Sequence, residues 1–404
     1  MRIFISADWH LGKRLHQEDL SADMEGFFEF LLEKIREEET DYLLLAGDVF
    51  DQHNPAHEAS KQYYRFLSKL HATGCKAIII AGNHDSPSFL ETPAALLQGM
   101  GVTVVSLFPG LDKIGDIFLP VSDRSGKNKA VVAAIPFLQD RFIRQVGEGE
   151  TSQSIDIKIQ EGMRKIFLHI GDALRQQHPG LPHIGMAHLT AQGMQVSEAE
   201  REIQIGNILG IPADALNQFD YLGLGHIHTG QTVLEGRIQY ASSPISLGFS
   251  ENNYAHKIIR LEVADGQVSS SFIPIPKRRS LYQLKGTLAQ VEAQLNGLRC
   301  KYDLPTLLDI AIEEPTFNPA IMEALDSWRQ QLPERNIKLI QQRITYHDRT
   351  IGNTAGSRLQ ADRVHDLEPI SVFNTLIGQR EEGAEKTALQ ELYQSILADL
   401  TQQP

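Results

Sequence analysis

Short, wholly apolar runs alternate with amphipathic stretches through the first hundred residues. The pattern predicts a strand at 2–7, a helix at 22–39 opened by Ser21, a strand at 42–46 and a helix at 57–71 that starts just past Asn54-Pro55. A strand at 76–81, a helix at 90–99 and a strand at 102–106 follow. Apolar runs this short, with helices between them, mean crossover connections and a parallel or mixed sheet buried on both faces. Ala59, Tyr63, Phe66, Leu67 and Leu70 recur at helical spacing and predict a core-facing stripe. A long helix fits 155–176, and strands return through 183–275 with hairpin-like spacing from 231 to 263.

The pattern breaks at "IPIPKRRSLYQL", residues 273–284, where prolines and a basic triplet interrupt it. Lys277, Arg278 and Arg279 read as a charged linker rather than a nucleic-acid track. Beyond it, a strand at 281–286, a helix at 287–298, a strand at 306–313, a helix at 318–331 and a strand at 336–344 make a small α+β unit. Residues 345–364 are polar and irregular. Helices at 366–379 and 384–400, separated by "QREEGAEK", form a helix-loop-helix. Val372, Phe373, Leu376 and Ile377 stripe the first, and Leu389, Leu392, Ile396 and Leu400 the second. The expected domains are therefore 1–275, 276–345, a linker at 346–365 and a terminal segment at 366–404.

The ends of the predicted strands share one syntax. "IIIAGNHDSP" (78–87) passes from isoleucines through Ala-Gly to Asn83, His84 and Asp85. "YLLLAGD" (42–48) ends at Asp48, "IFISADWH" (3–10) at Asp8 and His10, "IGMAH" (184–188) at His188, and "YLGLGHIH" (221–228) at His226 and His228. Asn, Asp, Gly and Pro also build ordinary turns, and any one of these histidines read singly is a loop or core residue. Five strand ends that all choose Asp, His or Asn point instead to a shared site, because ligands of open α/β sheets bind beyond the carboxyl ends of strands. Carboxylates and imidazoles without thiolate suit manganese, iron or zinc better than copper or an iron–sulfur cluster. Seven such groups exceed the needs of one ion with open positions and fit two ions sharing a carboxylate, with Asp48 the natural bridge. Two ions held that way clamp both oxygens of an in-line phosphoryl displacement.

Composition narrows the picture further. The 404 residues, 42% hydrophobic and 22% charged, are those of a globular protein of two or three domains. No apolar run is long enough to span a bilayer and no signal-peptide pattern opens the chain, so a cytoplasmic protein with no membrane partner is expected. Cys75 and Cys300 lack metal-ligand spacing and read as ordinary thiols. A net charge of −13 argues against binding nucleic acid over the whole surface, but leaves room for a local basic track, bound cations or a basic partner. No Gly-Lys-Ser/Thr phosphate loop occurs, so any ATP dependence must come from a partner.

"DWH" (8–10), "GDVFD" (47–51), "GNHD" (82–85), "MAH" (186–188) and "GHIH" (225–228), in that order, resemble the five motifs of the calcineurin-like metallophosphoesterases. Within that superfamily "ADWHLG", "GDVFD", "AGNHD", "AHLT", "GHIH" and "SSPISLGFSE" (242–251) resemble the SbcD family of bacterial exonuclease subunits over nearly the whole chain. Ala7 and Ala187 depart from that pattern without touching a ligand. The resemblance implies a metallophosphoesterase β-sandwich flanked by helices, with an α+β capping domain and the C-terminal helix-loop-helix. It implies one ion on Asp8, His10, Asp48 and His228, and a second on Asp48, Asn83, His188 and His226. His84 would face the scissile phosphate, Asp51 would hydrogen-bond His84, and Asp85 would shape the turn. Manganese is the expected metal and DNA the substrate. The partners would be an SbcC ATPase, docked on residues 366–404, and a second copy of the chain, paired through helices 57–71 and 90–99 with Tyr63, Tyr64, Leu90 and Leu97 as candidates.

The sequence also admits other readings. The same ligands serve a phosphatase or a cyclic-nucleotide phosphodiesterase, and a structural clamp protein with a degenerate site belongs to another class. A tail folded back on its own small domain competes with a docking tail. Lys13 and Arg14 read equally as phosphate contacts or a solvated pair, while His16, His53 and His57 are expected to face solvent.

Overall fold

The computed structural model describes residues 1–143, 152–195, 210–234, 236–347 and 392–393. The strands, in chain order, are β1 (Arg2–Ser6), a small hairpin of β2 (Arg14–Leu15) and β3 (Glu18–Asp19), β4 (Tyr42–Ala46), β5 (Lys76–Ile80) and β6 (Val102–Val105). Then come β7 (Phe118–Ser122), β8 (Asn128–Ile135), β9 (His183–His188), β10 (Tyr221–Gly225), β11 (Thr232–Leu234), β12 (Ile238–Tyr240), β13 (Lys257–Ala264) and β14 (Gln267–Pro274). One six-stranded sheet runs β14-β13-β1-β4-β5-β6, and a second runs β11-β12-β10-β9-β8-β7. Within the first, β1, β4, β5 and β6 are mutually parallel; within the second, β8, β9, β10 and β12 are.

The two-residue period of a strand explains the layering. Ile3, Ile5, Leu44, Ile78 and Ile80 face inward and meet Val132, Ala134, Ile184 and Met186 of the other sheet. The alternate residues Phe4, Leu43, Leu45 and Ile79 face helices α1 (Ser21–Glu37) and α2 (His57–His71). On the far side, Val131, Ala133, Leu222 and Leu224 pack against the helix Ser152–Gln177. The result is a sandwich of two sheets with a helical layer outside each. Gly223 lets the sheets approach, since a Cβ there would press on Ile5 Cδ1 at 2.6 Å.

Beyond the linker, β15 (Leu281–Gly286), β16 (Thr306–Glu314) and β17 (Ile337–Tyr346) form a three-stranded sheet with helices Leu288–Gly297 and Ala320–Gln331. The first of these helices opens on a capping box between Thr287 and Gln290. Arg279 is buried and pairs with Asp23 of α1 at 2.8 Å, and Lys277 donates to Asn252 Oδ1 at 2.8 Å. The half-buried Arg278 meets Asp303 at 2.7 Å. The basic triplet thus pins the small unit to the sandwich. Residues 1–345 form one compact unit and 346–404 a second.

Several expectations change. The helix at 90–99 is two short ones, Pro87–Glu91 and Ala94–Gly99, because Pro93 has no N–H to continue the first. Ser21 is the first residue of α1 rather than its cap; Leu20 holds the cap position, and Asp19 Oδ1 accepts from the Ser21 N–H at 2.6 Å. Strands β7 and β8 carry no motif and add to the expected elements. Tyr63, Leu90 and Leu97, candidates for pairing two copies, are buried in this chain's own core. Their apolar stripe is used up against Trp9, Phe50 and Phe66, leaving Tyr64 and Leu96 exposed. His16, His53 and His57 are exposed. Cys75 is buried, Cys300 half-buried, and both are free. No described helix is long and apolar enough to cross a membrane. The linker at 346–365 and the helices at 366–379 and 384–400 lie outside the described residues, save for Tyr346, His347 and the helical pair Leu392–Tyr393.

Candidate metal centre

The carboxyl ends of β1, β4 and β5 in one sheet and of β9 and β10 in the other converge at one edge of the sandwich. Asp8 and His10 follow β1, Asp48 follows β4, Asn83 and His84 follow β5, His188 ends β9, and His226 and His228 follow β10. Asp8, His10, Asp48 and His226 all hold positive φ, at 55°, 45°, 50° and 93°. Left-handed backbone at non-glycine residues is uncommon and costly, and it persists where surrounding structure enforces it. Here the enforcer is visible. Trp9, between Asp8 and His10, is fully buried against Phe28 and Phe66, and its Nε1–H donates to Ser6 Oγ at 2.8 Å. With Trp9 driven into the core, its two neighbours must point outward to the site. Gly82 is required on other grounds, since a Cβ there would collide with the Asp48 carboxylate.

The ligand atoms fall into overlapping groups. Asp8, His10 and His228 offer atoms within 4.8 Å of one another, and so do Asp48, His188 and His226. His10, Asp48 and His84 form a third such set. Asp48 lies between the first two: its Oδ2 is 3.5 Å from His10 Nε2 and 3.3 Å from His188 Nε2, while its Oδ1 accepts from the His84 backbone at 2.9 Å. Asn83 Oδ1 sits 2.9 Å from both His188 Nε2 and His226 Nδ1. All seven residues expected as ligands are therefore brought together.

Groups just behind these candidate ligands set their orientation. His188 Nδ1–H donates to the Ala46 carbonyl at 2.9 Å, and His228 Nδ1 lies 2.7 Å from Glu251 Oε1. Each leaves Nε2 for a cation, the arrangement that usually backs a metal-bound histidine. Glu251 is a site residue that the sequence pattern does not reveal, although it closes the "SSPISLGFSE" stretch; nothing in local spacing ties it to His228, 23 residues away. Asp85 is buried and accepts from the backbone N–H of Gly82, Val49 and Phe50 at 2.8, 3.1 and 2.9 Å, so it staples the ends of β4 and β5 together.

Asp51 behaves differently from expectation. Its main-chain carbonyl, not its carboxylate, meets His84, accepting from Nδ1–H at 2.9 Å. The carboxylate turns to His10 Nδ1 at 3.4 Å and Lys13 Nζ at 3.1 Å. A main-chain acceptor fixes the His84 tautomer as firmly as a carboxylate, because a carbonyl can only accept.

Burial dominates the electrostatics. It pushes Asp8 up to about 7, and pulls His10 down to about 4 and His226 to about 3. Burial also opposes charge on Asp48 and His188, but their mutual attraction wins: Asp48 lies well below the carboxylate range, and His188 rises to about 9. Burial works against ionised Glu251 too, yet the His228 hydrogen bond and charge hold its carboxyl below the ordinary value. Asp8 Oδ2 and His10 Nε2 are buried with no hydrogen bond. Orphaned atoms of this kind typically cost about 1–3 kcal/mol each. A cation among them would remove that cost and the conflict between the carboxylates, so the donor set fits divalent metal.

The sequence pattern of the calcineurin-like phosphoesterases matches residues 1–230. A second pattern, described as the type 5 capsule protein repressor C-terminal domain, matches residues 277–381. The chain is 31% identical over 411 aligned residues to the SbcD subunit of the SbcCD nuclease of Escherichia coli, an alignment covering 99% of this chain and 98% of that one. The SbcD subunit from Rhodobacter capsulatus is 32% identical over 351 residues, covering 83% and 86%. The chain belongs to the calcineurin-like phosphoesterase family and, within it, to the SbcD nuclease subunits.

Proposed function

We propose that the chain is the two-metal DNA nuclease component of an SbcCD-type complex, cleaving DNA ends and hairpins with an SbcC-type partner ATPase. The observation that carries the reading is the convergence of seven ligand-type residues from five strand ends, with Asp48 reaching both halves. Asp8, His10, Asp48 and His228 would hold one ion, and Asp48, Asn83, His188 and His226 the other, with manganese the expected metal. When bound, such ions polarise the phosphodiester and supply a nucleophile at neutral pH. The chain's own contribution is orientation. Asp51's carbonyl keeps the proton on His84 Nδ1 and turns its Nε2 toward the cluster, where protonated Nε2 can donate to the leaving oxygen. Lys13, drawn in by Asp51, adds positive charge at the rim.

A polymer substrate is favoured by the cleft between the sandwich and the cap. It measures about 600 Å³ and is lined by Lys13, Arg14, His16, Asn253, Gln341 and Arg343 among others. Lys13, Arg14 and Arg343 outnumber the one lining carboxylate, Asp309, which pairs with Arg343 at 2.6 Å, so the cleft is more basic than a chain of net charge −13. Accordingly, 1–275 is the catalytic domain, 276–345 the cap, 346–365 a linker and 366–404 the segment that docks on the partner ATPase. Purified full-length chain with manganese should cleave duplex ends and hairpins and leave a generic phosphomonoester intact. Monoester hydrolysis without DNA cleavage would make it a phosphatase. A chain that binds no metal and cleaves neither substrate would be a clamp with a degenerate site.

A further inference from the structure

The turn that carries Glu251 touches the metal centre on one side and the cap on the other. Glu251 is fully buried in the short turn Phe249–Glu251. Its Oε1 lies 2.7 Å from His228 Nδ1, and its Oε2 accepts from the Leu247 backbone at 2.7 Å. Ser246 Oγ donates to its main-chain carbonyl at 3.1 Å. The carboxylate therefore cannot follow His228 by simple rotation; it is fixed by the loop. The next residue, Asn252, uses its side-chain Oδ1 to accept from the Leu281 backbone at 2.7 Å and from Lys277 Nζ at 2.8 Å. Leu281 opens β15, the first strand of the cap, and is packed with Leu15, Leu20, Leu307 and Phe249.

From these contacts we infer that residues 249–252 couple the seat of the cap to the orientation of His228, with Glu251 a positioning residue for the ion that His228 would hold. The path is short: β15 backbone, Asn252 side chain, one peptide unit, Glu251 carboxylate, His228 ring. A cap displaced by substrate or partner would pull on Asn252 and, through Glu251, re-aim His228 Nε2. The inference rests on the two-metal reading and extends it, since it makes one of the two sites responsive to cap position and leaves the other, on His188, His226 and Asn83, unaffected. Because coupling through contacts must be measured rather than traced, the test uses both links.

Calorimetric manganese titration and the electron paramagnetic resonance spectrum of the bound metal are compared for full-length wild type, Glu251→Gln, Asn252→Ala and the double variant. Groups that orient a metal-bound histidine typically contribute about 10–100-fold in affinity. Glu251→Gln should weaken one of the two ions by that factor, with an altered spectrum and the other ion unchanged. Asn252→Ala should weaken the same ion by less. The double variant should match Glu251→Gln, because links in one path are not additive. Two wild-type affinities in Glu251→Gln would overturn the positioning role. A silent Asn252→Ala, or losses that add in full, would overturn the coupling. Should Glu251→Gln fail to fold, Asn252→Ala, at a half-buried position, decides the coupling alone. A wild-type chain that binds one ion would instead defeat the two-metal reading itself.

Discussion

At the scale of single residues, variants of Asp48 and His84 test whether metal binding and turnover are carried by different side chains. Asp48 Oδ2 lies 3.5 Å from His10 Nε2 and 3.3 Å from His188 Nε2. Asp48→Ala should lose both ions by elemental analysis and all manganese-dependent cleavage; wild-type metal content in that variant would sink the shared-ligand arrangement. His84 also lies near His10 and Asp48, so a ligand role for it competes with the proposed one. His84→Ala should keep both ions and lose about 10²–10⁴-fold in rate, the usual contribution of a positioned acid. Loss of metal from His84→Ala would make it a ligand. The seven ligand-type residues were legible because they stand at the ends of apolar runs, a signal the chain carries by itself. Glu251 and the true contact of Asp51 were not. The first acts across a long loop, and the second uses a main-chain atom that every residue possesses.

At the scale of elements, buried strands were the most readable parts. Both faces of β1, β4 and β5 are covered, so their sequences are nearly all apolar and stop where the chain leaves the sheet. The helix at 90–99 misled because Pro93 divides it. The surface for a second copy was misjudged for a related reason: a helical stripe shows which face is apolar, not what covers it. Tyr64 at 37% and Leu96 at 72% exposure are what remains of that surface. We expect two copies to pair there. Light scattering at micromolar concentration should give a dimer for wild type and a monomer for the Tyr64→Asp, Leu96→Asp double variant. A monomeric wild type would count against the pairing.

At the scale of the whole molecule, the proposed division of labour assigns cleavage to residues 1–345 and recruitment of the SbcC-type ATPase to 366–404. Deleting 366–404 should leave manganese-dependent cleavage of single-stranded DNA intact while abolishing co-purification with that ATPase and ATP-stimulated degradation of duplex ends. A truncated chain that still co-purifies would refute the docking role, and one that unfolds would favour a tail folded onto its own cap. Taken by itself, the sequence determined which strands are buried, which residues stand at their carboxyl ends, and that these residues suit hard divalent cations. Those properties depend on the local alternation of apolar and polar side chains, and the chain carries that alternation whether folded or not. Only the tertiary structure decided that five ends from two different sheets share one edge, with Asp48 between two groups of ligand-type side chains. It alone showed Arg279 buried as a strut on Asp23 rather than lying in a solvated linker, and Glu251 behind His228. Such pairings join residues far apart in the chain, where no period or spacing records them, and they exist only once the sheets have packed.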